Sequence, residues 1–365
     1  MPTEANEPSN DNSVRILSLN GGGARGLFTI SLLAEIERIL AAETGNPDVK
    51  VGHYFDLITG TSIGGILALG LAADKSAREL EVVFRDKAPY IFPQQKCQWF
   101  LPRLRKKIRQ FMCPLYDSEP LAETIKNMVG ESTTFNDLNR RVMIPAVNLS
   151  TGKPQFFKTP HNPKFTRDGR IKLVDAALAT SAAPTYFSPH YCNELDAYFA
   201  DGGLVANNPS YIGLLEVFRD MNTDFRHTTV RDVKILNIGT LSEEYTVSPS
   251  ALGARWNNGY WGLWGTGERL VLTTMTANQI LHKAMLEREF YSNGIKENYV
   301  YLDDTIPNEA ASDITLDNAS ETSLRNLVSR GKQLATVEFT KNGALQDFFK
   351  TPALPFKRKT TEETH

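Results

Sequence analysis

A serine flanked by glycines is the first candidate for chemistry in this sequence. Gly60-Thr61-Ser62-Ile63-Gly64 stands between two short apolar stretches. A nucleophilic serine needs a sharp strand-to-helix turn that holds its hydroxyl clear of the backbone, and small neighbours make room for that turn. The helix that follows directs its N–H groups at the reacting centre, so the pattern predicts an acyl-transfer nucleophile at Ser62, with Gly60 and Gly64 shaping the turn. A helix-capping serine is the alternative interpretation.

A run of glycines, Asn20-Gly21-Gly22-Gly23-Ala24-Arg25-Gly26, follows the first apolar segment. Consecutive glycines expose backbone N–H groups that can hold a phosphate or the oxyanion of an acyl-transfer intermediate. A P-loop is excluded because no Lys-Ser or Lys-Thr follows. Gly21, Gly23 and Gly26 satisfy the dinucleotide fingerprint G-x-G-x-x-G, but the acidic residue expected about 20 residues later is missing. An oxyanion hole explains this loop and Ser62 together, whereas a nucleotide-binding fold explains only the loop.

An aspartate in a glycine turn, Asp201-Gly202-Gly203, supplies the third group. It can act as a general base if it reaches Ser62, and a simple Asp-Gly turn is the alternative. A Ser-His-Asp triad would need a histidine, and none of the six histidines has a setting that favours catalysis. The sequence therefore predicts a Ser62–Asp201 dyad, which needs no metal and no cofactor. In this dyad Asp201 takes the serine proton on attack and returns it to the leaving alcohol.

Alternating strands and helices must position these groups. Apolar runs at 14–19 and 56–59 are each followed by glycines and then by an apolar helix, at 27–42 and 63–72. This repetition predicts an α/β fold with parallel strands. The same reasoning predicts further strands at 142–148, 155–157, 198–200, 233–238 and 299–302, and further helices at 76–90, 173–180, 270–290 and 323–349.

The composition limits the class of protein. The chain has 365 residues, a net charge of −2 and 41% hydrophobic residues, which excludes a disordered chain and a protein that coats long nucleic acid. Cys97, Cys113 and Cys192 lie far apart, so neither a disulfide framework nor a zinc site is expected. The longest apolar stretch, at 63–73, is shorter than the about 20 residues that span a bilayer, and residues 1–12 do not resemble a signal peptide. We therefore expect a soluble, cytoplasmic protein.

A single domain is expected because no Pro/Gly/Ser-rich linker divides the chain. The expected parts are a disordered leader at 1–12, a hydrolase core at 13–240, an α-rich elaboration of the same domain at 241–350 and a flexible tail at 351–365.

The ordered motifs resemble those of the patatin-like phospholipases, over roughly residues 14–240. The family pattern of a G-G-G-x-R-G loop, a G-x-S-x-G elbow and a D-G-[GA] aspartate occurs here in that order, and residues 179–187 and 207–209 also resemble family segments. The resemblance implies a three-layer α/β/α fold with a mostly parallel central sheet and a C-terminal helical elaboration. By the same likeness the site residues are the catalytic Ser62 and Asp201, the oxyanion-hole residues Gly21, Gly22, Gly23 and Arg25, the elbow residues Gly60 and Gly64, and the aspartate-turn residues Gly202 and Gly203. Asn20 departs from the family, since many relatives carry aspartate before the glycines.

Residues 15–26 are especially similar to bacterial patatin-like effectors of anti-phage (CBASS) signalling systems, which are phospholipases that a cyclic dinucleotide switches on. This likeness implies a cyclic dinucleotide activator from a partner synthase and a membrane phospholipid substrate at the inner face of the cell membrane. It also implies a homo-oligomer by analogy. A constitutive lipid acyl hydrolase and a nucleotide-binding module are the alternatives.

Two further segments are candidates for lipid or ligand contact. Basic residues interleave with apolar ones after Trp99, namely Arg103, Arg105, Lys106, Lys107 and Arg109. Such a segment can dock on anionic lipid head groups or pair with the phosphates of a dinucleotide, and a solvated helix face is the alternative. Residues 256–265 hold three of the four tryptophans, which suit base stacking, interfacial insertion, a lid or simple packing under the C-terminal helices.

Overall fold

The centre of the fold is an eight-stranded sheet. The protein is represented by a computed structural model that describes residues 13–93, 113–241, 267–305 and 315–358. Its strands are β1 (Val14–Leu19), β2 (Leu57–Gly60), β3 (Arg141–Asn148), β4 (Lys153–Lys158), β5 (His190–Cys192), β6 (Ala197–Asp201), β7 (Val233–Ile238) and β8 (Tyr299–Leu302). The order across the sheet is β5-β6-β3-β2-β1-β7-β8, and β4 pairs with β3.

The parallel core of the sheet brings the glycine loop and Ser62 to one edge. β1, β2, β3, β7 and β8 run parallel to one another. β4 and β6 pair antiparallel with β3, and β5 pairs antiparallel with β6. Leu19 lies opposite Gly60, so the loops that follow β1 and β2 leave the sheet side by side. Asp201, at the end of β6, lies opposite Ala146 of β3 near the same edge. The predicted α/β fold with a mostly parallel sheet is confirmed.

Helices cover both faces of the sheet. They are α1 (Gly26–Thr44), α2 (Ile63–Ala72), α3 (Ala77–Ile91), α4 (Glu119–Val129), α5 (Leu173–Ser181), α6 (Gly203–Ala206), α7 (Ser210–Asp220), α8 (Gly267–Ser292), α9 (Glu321–Lys341) and α10 (Gly343–Asp347). None of the helices in the described ranges is both long enough and apolar enough to cross a membrane. Helices α4, α6 and α7 and strand β5 are absent from the sequence prediction. The helix predicted at 323–349 is divided at Asn342 into α9 and α10, and the other predicted elements are present with ends shifted by a few residues.

Successive residues of β1 enter two different cores because side chains alternate across a strand. Leu17 and Leu19 join the larger core, which includes residues of α1, α2, α3 and α9. Ile16 joins the smaller core together with Leu214 of α7 and Leu286 of α8. A helical layer therefore lies on each side of the sheet, which gives three layers.

The C-terminal part of the chain is integrated into this core. β8, from the region predicted to be an α-rich elaboration, extends the sheet parallel to β7. Residues 351–358, which the sequence analysis assigns to a flexible tail, are docked: Ala353 N–H donates to the carbonyl of His53 at 2.8 Å, Phe356 N–H donates to that of Asn139 at 2.7 Å, and the Phe356 ring is buried. The backbone of Ala353 and Phe356 is therefore held against the core.

Candidate active site

Ser62 occupies a strained turn between β2 and α2. Its φ of 55° lies in the left-handed region that non-glycine residues rarely adopt. A Cβ on Gly60 would overlap the carbonyl of Gly64, and a Cβ on Gly64 would overlap that of Leu19. The turn therefore requires glycine at both flanking positions. Ser62 stands at the N-cap of α2, but its side chain makes no capping hydrogen bond, so its hydroxyl is available for another partner.

That partner is Asp201. Ser62 Oγ donates to Asp201 Oδ2 at 2.7 Å, and the N–H of Gly203 donates to Asp201 Oδ1 at 2.6 Å. The aspartate is completely buried. Burial raises the pKa of Asp201 from 3.8 to about 7, against the opposing effect of the hydrogen bonds from Gly203 and Ser62. The arrangement is a serine hydroxyl on a carboxylate whose basicity suits proton transfer near neutral pH.

The glycine loop lies beside this pair. Gly21 N–H donates to the carbonyl of Asn207 at 3.0 Å, whereas neither the N–H of Gly22 nor that of Gly23 donates a hydrogen bond within the described part of the chain. Gly23 lines the same cavity as Ser62 and has a φ of +57°. The backbone N–H of Arg25 donates to the carbonyl of Gly22 at 3.2 Å, and Arg25 Nη1 donates to that of Leu241 at 3.3 Å. Arg25 thus braces the loop, and the two amides remain available for an anion.

Thr180, near the end of α5, connects the serine to the sheet, and sequence reasoning did not select it as a site residue. Its Oγ1 accepts from the backbone N–H of Ser62 at 3.1 Å and donates to the carbonyl of Pro145 at 2.6 Å. Its own carbonyl accepts from the N–H of Gly202 at 3.1 Å. One residue therefore fixes both the elbow and the aspartate turn. The signal was its place in segment 179–187, which carries the family resemblance without marking this residue.

The cavity at Ser62 is small and apolar. Its volume is about 50 Å³, enough for a few water molecules. Besides Gly23, Ser62 and Asp201, its lining residues are Ile63, Ile66, Phe84, Phe92, Leu121, Ser181, Ala183, Tyr186, Phe187, Val271, Met275 and Leu316. Such a lining favours a hydrocarbon chain next to the nucleophile.

The histidines of the described ranges are engaged elsewhere or lie away from the pair. His161 bonds to Glu216 at 2.8 Å, His190 to Asp175 at 2.9 Å, and His282 Nδ1 to the carbonyl of Asn208 at 3.0 Å. In these ranges no histidine forms a hydrogen bond with Ser62 or Asp201, and no group of three or more His, Cys, Asp or Glu side chains could hold a metal ion.

Several segments singled out in the sequence lie outside the described residues. The basic segment with Trp99, Arg103, Arg105, Lys106, Lys107 and Arg109 is one of them. The tryptophan-rich residues 256–265, the predicted leader at 1–12 and residues 359–365 are the others.

Comparisons with known proteins show which sequences this chain is similar to. A family model described as patatin-like phospholipase matches residues 17–212. A protein of Vibrio cholerae serotype O1 named cGAMP-activated phospholipase is 72% identical over 346 residues, which cover 95% of this chain and 97% of that protein. Proteins with the same name from Escherichia coli and Pseudomonas aeruginosa are 68% and 39% identical, covering 96% and 88% of this chain and 96% and 87% of their own lengths.

Proposed function

This chain belongs to the patatin-like phospholipase family, and we propose on that basis that it hydrolyses the carboxylic esters of membrane phospholipids with Ser62 as nucleophile and Asp201 as general base. The observation that carries the proposal is the 2.7 Å hydrogen bond from Ser62 Oγ to Asp201 Oδ2 at the base of an apolar cavity. A surface turn or a helix cap would need neither the buried carboxylate nor the strained serine.

In the first half-reaction, Ser62 Oγ attacks the ester carbonyl carbon while its proton moves to Asp201 Oδ2. The tetrahedral intermediate collapses by breaking the bond to the alcohol oxygen, and Asp201 returns the proton to that leaving oxygen. The products are an acyl-enzyme on Ser62 and a lysophospholipid. A water molecule then attacks the acyl carbon, gives its proton to Asp201, and the fatty acid leaves as Ser62 regains that proton.

The glycine loop supplies charge stabilisation in both half-reactions. The N–H groups of Gly22 and Gly23 have no acceptor in the described part of the chain, so they can donate to the carbonyl oxygen as it becomes negative. The positive end of the α2 dipole adds to this effect from behind Ser62. Removing one such donor in other hydrolases costs on the order of 10²–10³ in rate.

We further propose that a cyclic dinucleotide from a partner synthase activates the enzyme at the inner face of the cell membrane. The support is the name cGAMP-activated phospholipase, which is carried by three relatives that align with most of this chain. The cavity is consistent with a requirement for activation, because its volume of about 50 Å³ is well below the roughly 300–1,000 Å³ of typical ligand pockets. The basic segment with Arg103 and Lys107 is a candidate contact for the phosphates of the activator or for anionic lipid, and homo-oligomerisation is part of the same hypothesis.

The experiment is fatty-acid release from phospholipid vesicles by the wild type and by Ser62→Ala, with and without cGAMP. We expect steep activation of the wild type and no release by Ser62→Ala under either condition. High release that is indifferent to cGAMP would support a constitutive lipid acyl hydrolase instead. Absence of both release and fluorophosphonate labelling at Ser62, in a protein that still binds cGAMP, would support a nucleotide-binding module.

A further inference from the structure

One polar side chain of α8, that of Asn278, contacts both the aspartate turn and Asn207, which is bonded to the glycine loop. Asn278 Nδ2 donates to the carbonyl of Gly203 at 2.7 Å, and its Oδ1 accepts from the backbone N–H of Asn207 at 2.8 Å. The carbonyl of Asn207 in turn accepts from the N–H of Gly21. A helix 75 residues further along the chain is thus bonded directly to the aspartate turn and, through Asn207, to the glycine loop.

The bond to Gly203 bears directly on Asp201. The N–H of Gly203 donates to Asp201 Oδ1, which leaves Oδ2 facing Ser62. This N–H also lowers the pKa of Asp201, against the larger effect of burial. A residue that fixes Gly203 therefore fixes both the direction of the carboxylate and part of its basicity.

The packing around Gly203 shows that α8 lies directly on the turn. A Cβ at this position would overlap the terminal methyl of Met275, which stands one helical turn before Asn278. Met275 also lines the cavity at Ser62. A second polar contact comes from Gln279, whose Oε1 accepts from Asn207 Nδ2 at 2.6 Å. The approach of the helix is therefore held by apolar packing and by directed hydrogen bonds together.

We infer that Asn278 is a positioning residue for the Ser62–Asp201 dyad. It acts through Gly203 and Asn207 rather than on the substrate, and the inference rests on the proposed function. Asn278 is half-buried, so water can satisfy the groups that a truncated side chain would leave. Loss of the amide is therefore expected to loosen the aspartate turn more than it destabilises the fold.

The test is Asn278→Ala, assayed with a soluble p-nitrophenyl ester at saturating cGAMP across a pH series. We expect kcat to fall about tenfold, the scale of one hydrogen bond, with KM within about twofold of the wild type. The acid limb of the kcat/KM profile is expected to move to higher pH, because Asp201 loses part of the N–H donation that favours its ionised form. The matched control is Thr274→Ala on the same helix, since the Thr274 hydroxyl bonds to the carbonyl of Leu270 within α8. This variant is expected to match the wild type.

Asn278→Ala with an unchanged kcat and acid limb would overturn the inference. A fall in kcat without a shift of the limb would also overturn it, because that result fits a merely structural role. Thermal unfolding checks that the variant is folded, and Asn278→Ser, with the same two expected results, replaces it if alanine is not tolerated. Comparison with Ser62→Ala distinguishes failure of the proposed function from failure of the positioning role. A wild type no more active than Ser62→Ala refutes the proposed function itself, whereas an active wild type matched by Asn278→Ala refutes only the positioning role.

Discussion

Replacing Asp201 with asparagine is expected to stabilise the folded protein at neutral and alkaline pH while abolishing turnover. Asp201 is completely buried, and its pKa is raised from 3.8 to about 7 because burial disfavours the charged form. Asparagine has nearly the same shape and can still accept from the N–H of Gly203, but it never ionises. The substitution therefore removes the cost of a buried charge together with the base.

The sign and size of the effect follow from proton linkage. Between pH 3.8 and about 7 the unfolded chain has lost the Asp201 proton and the folded chain retains it. The folded state thus binds more protons, so the free energy of unfolding of the wild type falls as pH rises, by about 1.36 kcal/mol per unit. Over about three units this contribution reaches about 4 kcal/mol, a large part of the roughly 5–15 kcal/mol that stabilises a typical domain. Asp201→Asn lacks this fall in stability because asparagine does not ionise.

The assay is urea unfolding of the wild type and Asp201→Asn at half-unit steps from about pH 4.5 to pH 8.5. All other titrating groups are common to both proteins, so they cancel in the difference between the two free energies. That difference is expected to grow in favour of Asp201→Asn as pH rises and to level off near pH 7. Ser62→Ala is the control, because it removes turnover but keeps the buried carboxylate. Its stability is therefore expected to fall with pH as in the wild type and to level off at a somewhat higher pH, because the Ser62 hydrogen bond that lowers the pKa of Asp201 is lost. A difference that is flat with pH, or that levels off below about pH 5, would refute the buried, proton-retaining carboxylate.

Three other substitutions test the remaining parts of the site. Thr180→Val keeps the shape of the side chain but loses the acceptor for the Ser62 N–H. The kcat for a soluble ester is therefore expected to fall between about 10-fold and 100-fold. An unchanged kcat would contradict the role of Thr180 in holding the Ser62 turn. Gly64→Ala places a Cβ against the backbone carbonyls of Leu19 and Asn20, so fluorophosphonate labelling of Ser62 is expected to disappear. Normal labelling would show that the elbow tolerates a side chain. Val271→Trp fills the cavity, so the rate of butyrate ester hydrolysis relative to that of acetate esters is expected to fall at least several-fold. An unchanged ratio would show that the acyl chain binds outside this cavity.

The sequence was most informative where the chemistry demands an unusual backbone. Ser62 adopts a left-handed φ, and the close approach at Gly64 excludes any side chain, so the site leaves a visible pattern of small residues around one serine. The strands that bring Ser62 and the glycine loop together are short apolar runs of β-branched and leucine residues, which local patterning also detects. Their placement could be predicted because each signal lies within a few residues of the group it positions.

The supporting residues could not be predicted in the same way. Thr180 bonds to Ser62 across 118 positions, and Asn278 bonds to Gly203 across 75. A threonine near the end of a helix and an asparagine inside one have no distinctive local pattern, because their role depends on tertiary contacts. The segment 351–358 shows the same limit, because it is held partly by backbone hydrogen bonds, such as the one from Phe356 to Asn139, and composition cannot reveal such bonds.

The high pKa of Asp201 accounts for how a dyad can work without histidine. An ordinary aspartate, with a pKa near 3.8, is about three units too weak a base to compete with the imidazole of a triad, whose pKa is about 6.5. Burial alone closes that gap, and the bonds from Gly203 and Ser62 keep the carboxylate from becoming so basic that it stays protonated at neutral pH. The rise of about three pKa units therefore makes Asp201 a stronger base and, at neutral pH, makes the folded protein less stable. A change that exposes Asp201 to water is therefore expected to stabilise its ionised form and to weaken it as a base, so the burial of this residue is itself part of the catalytic apparatus.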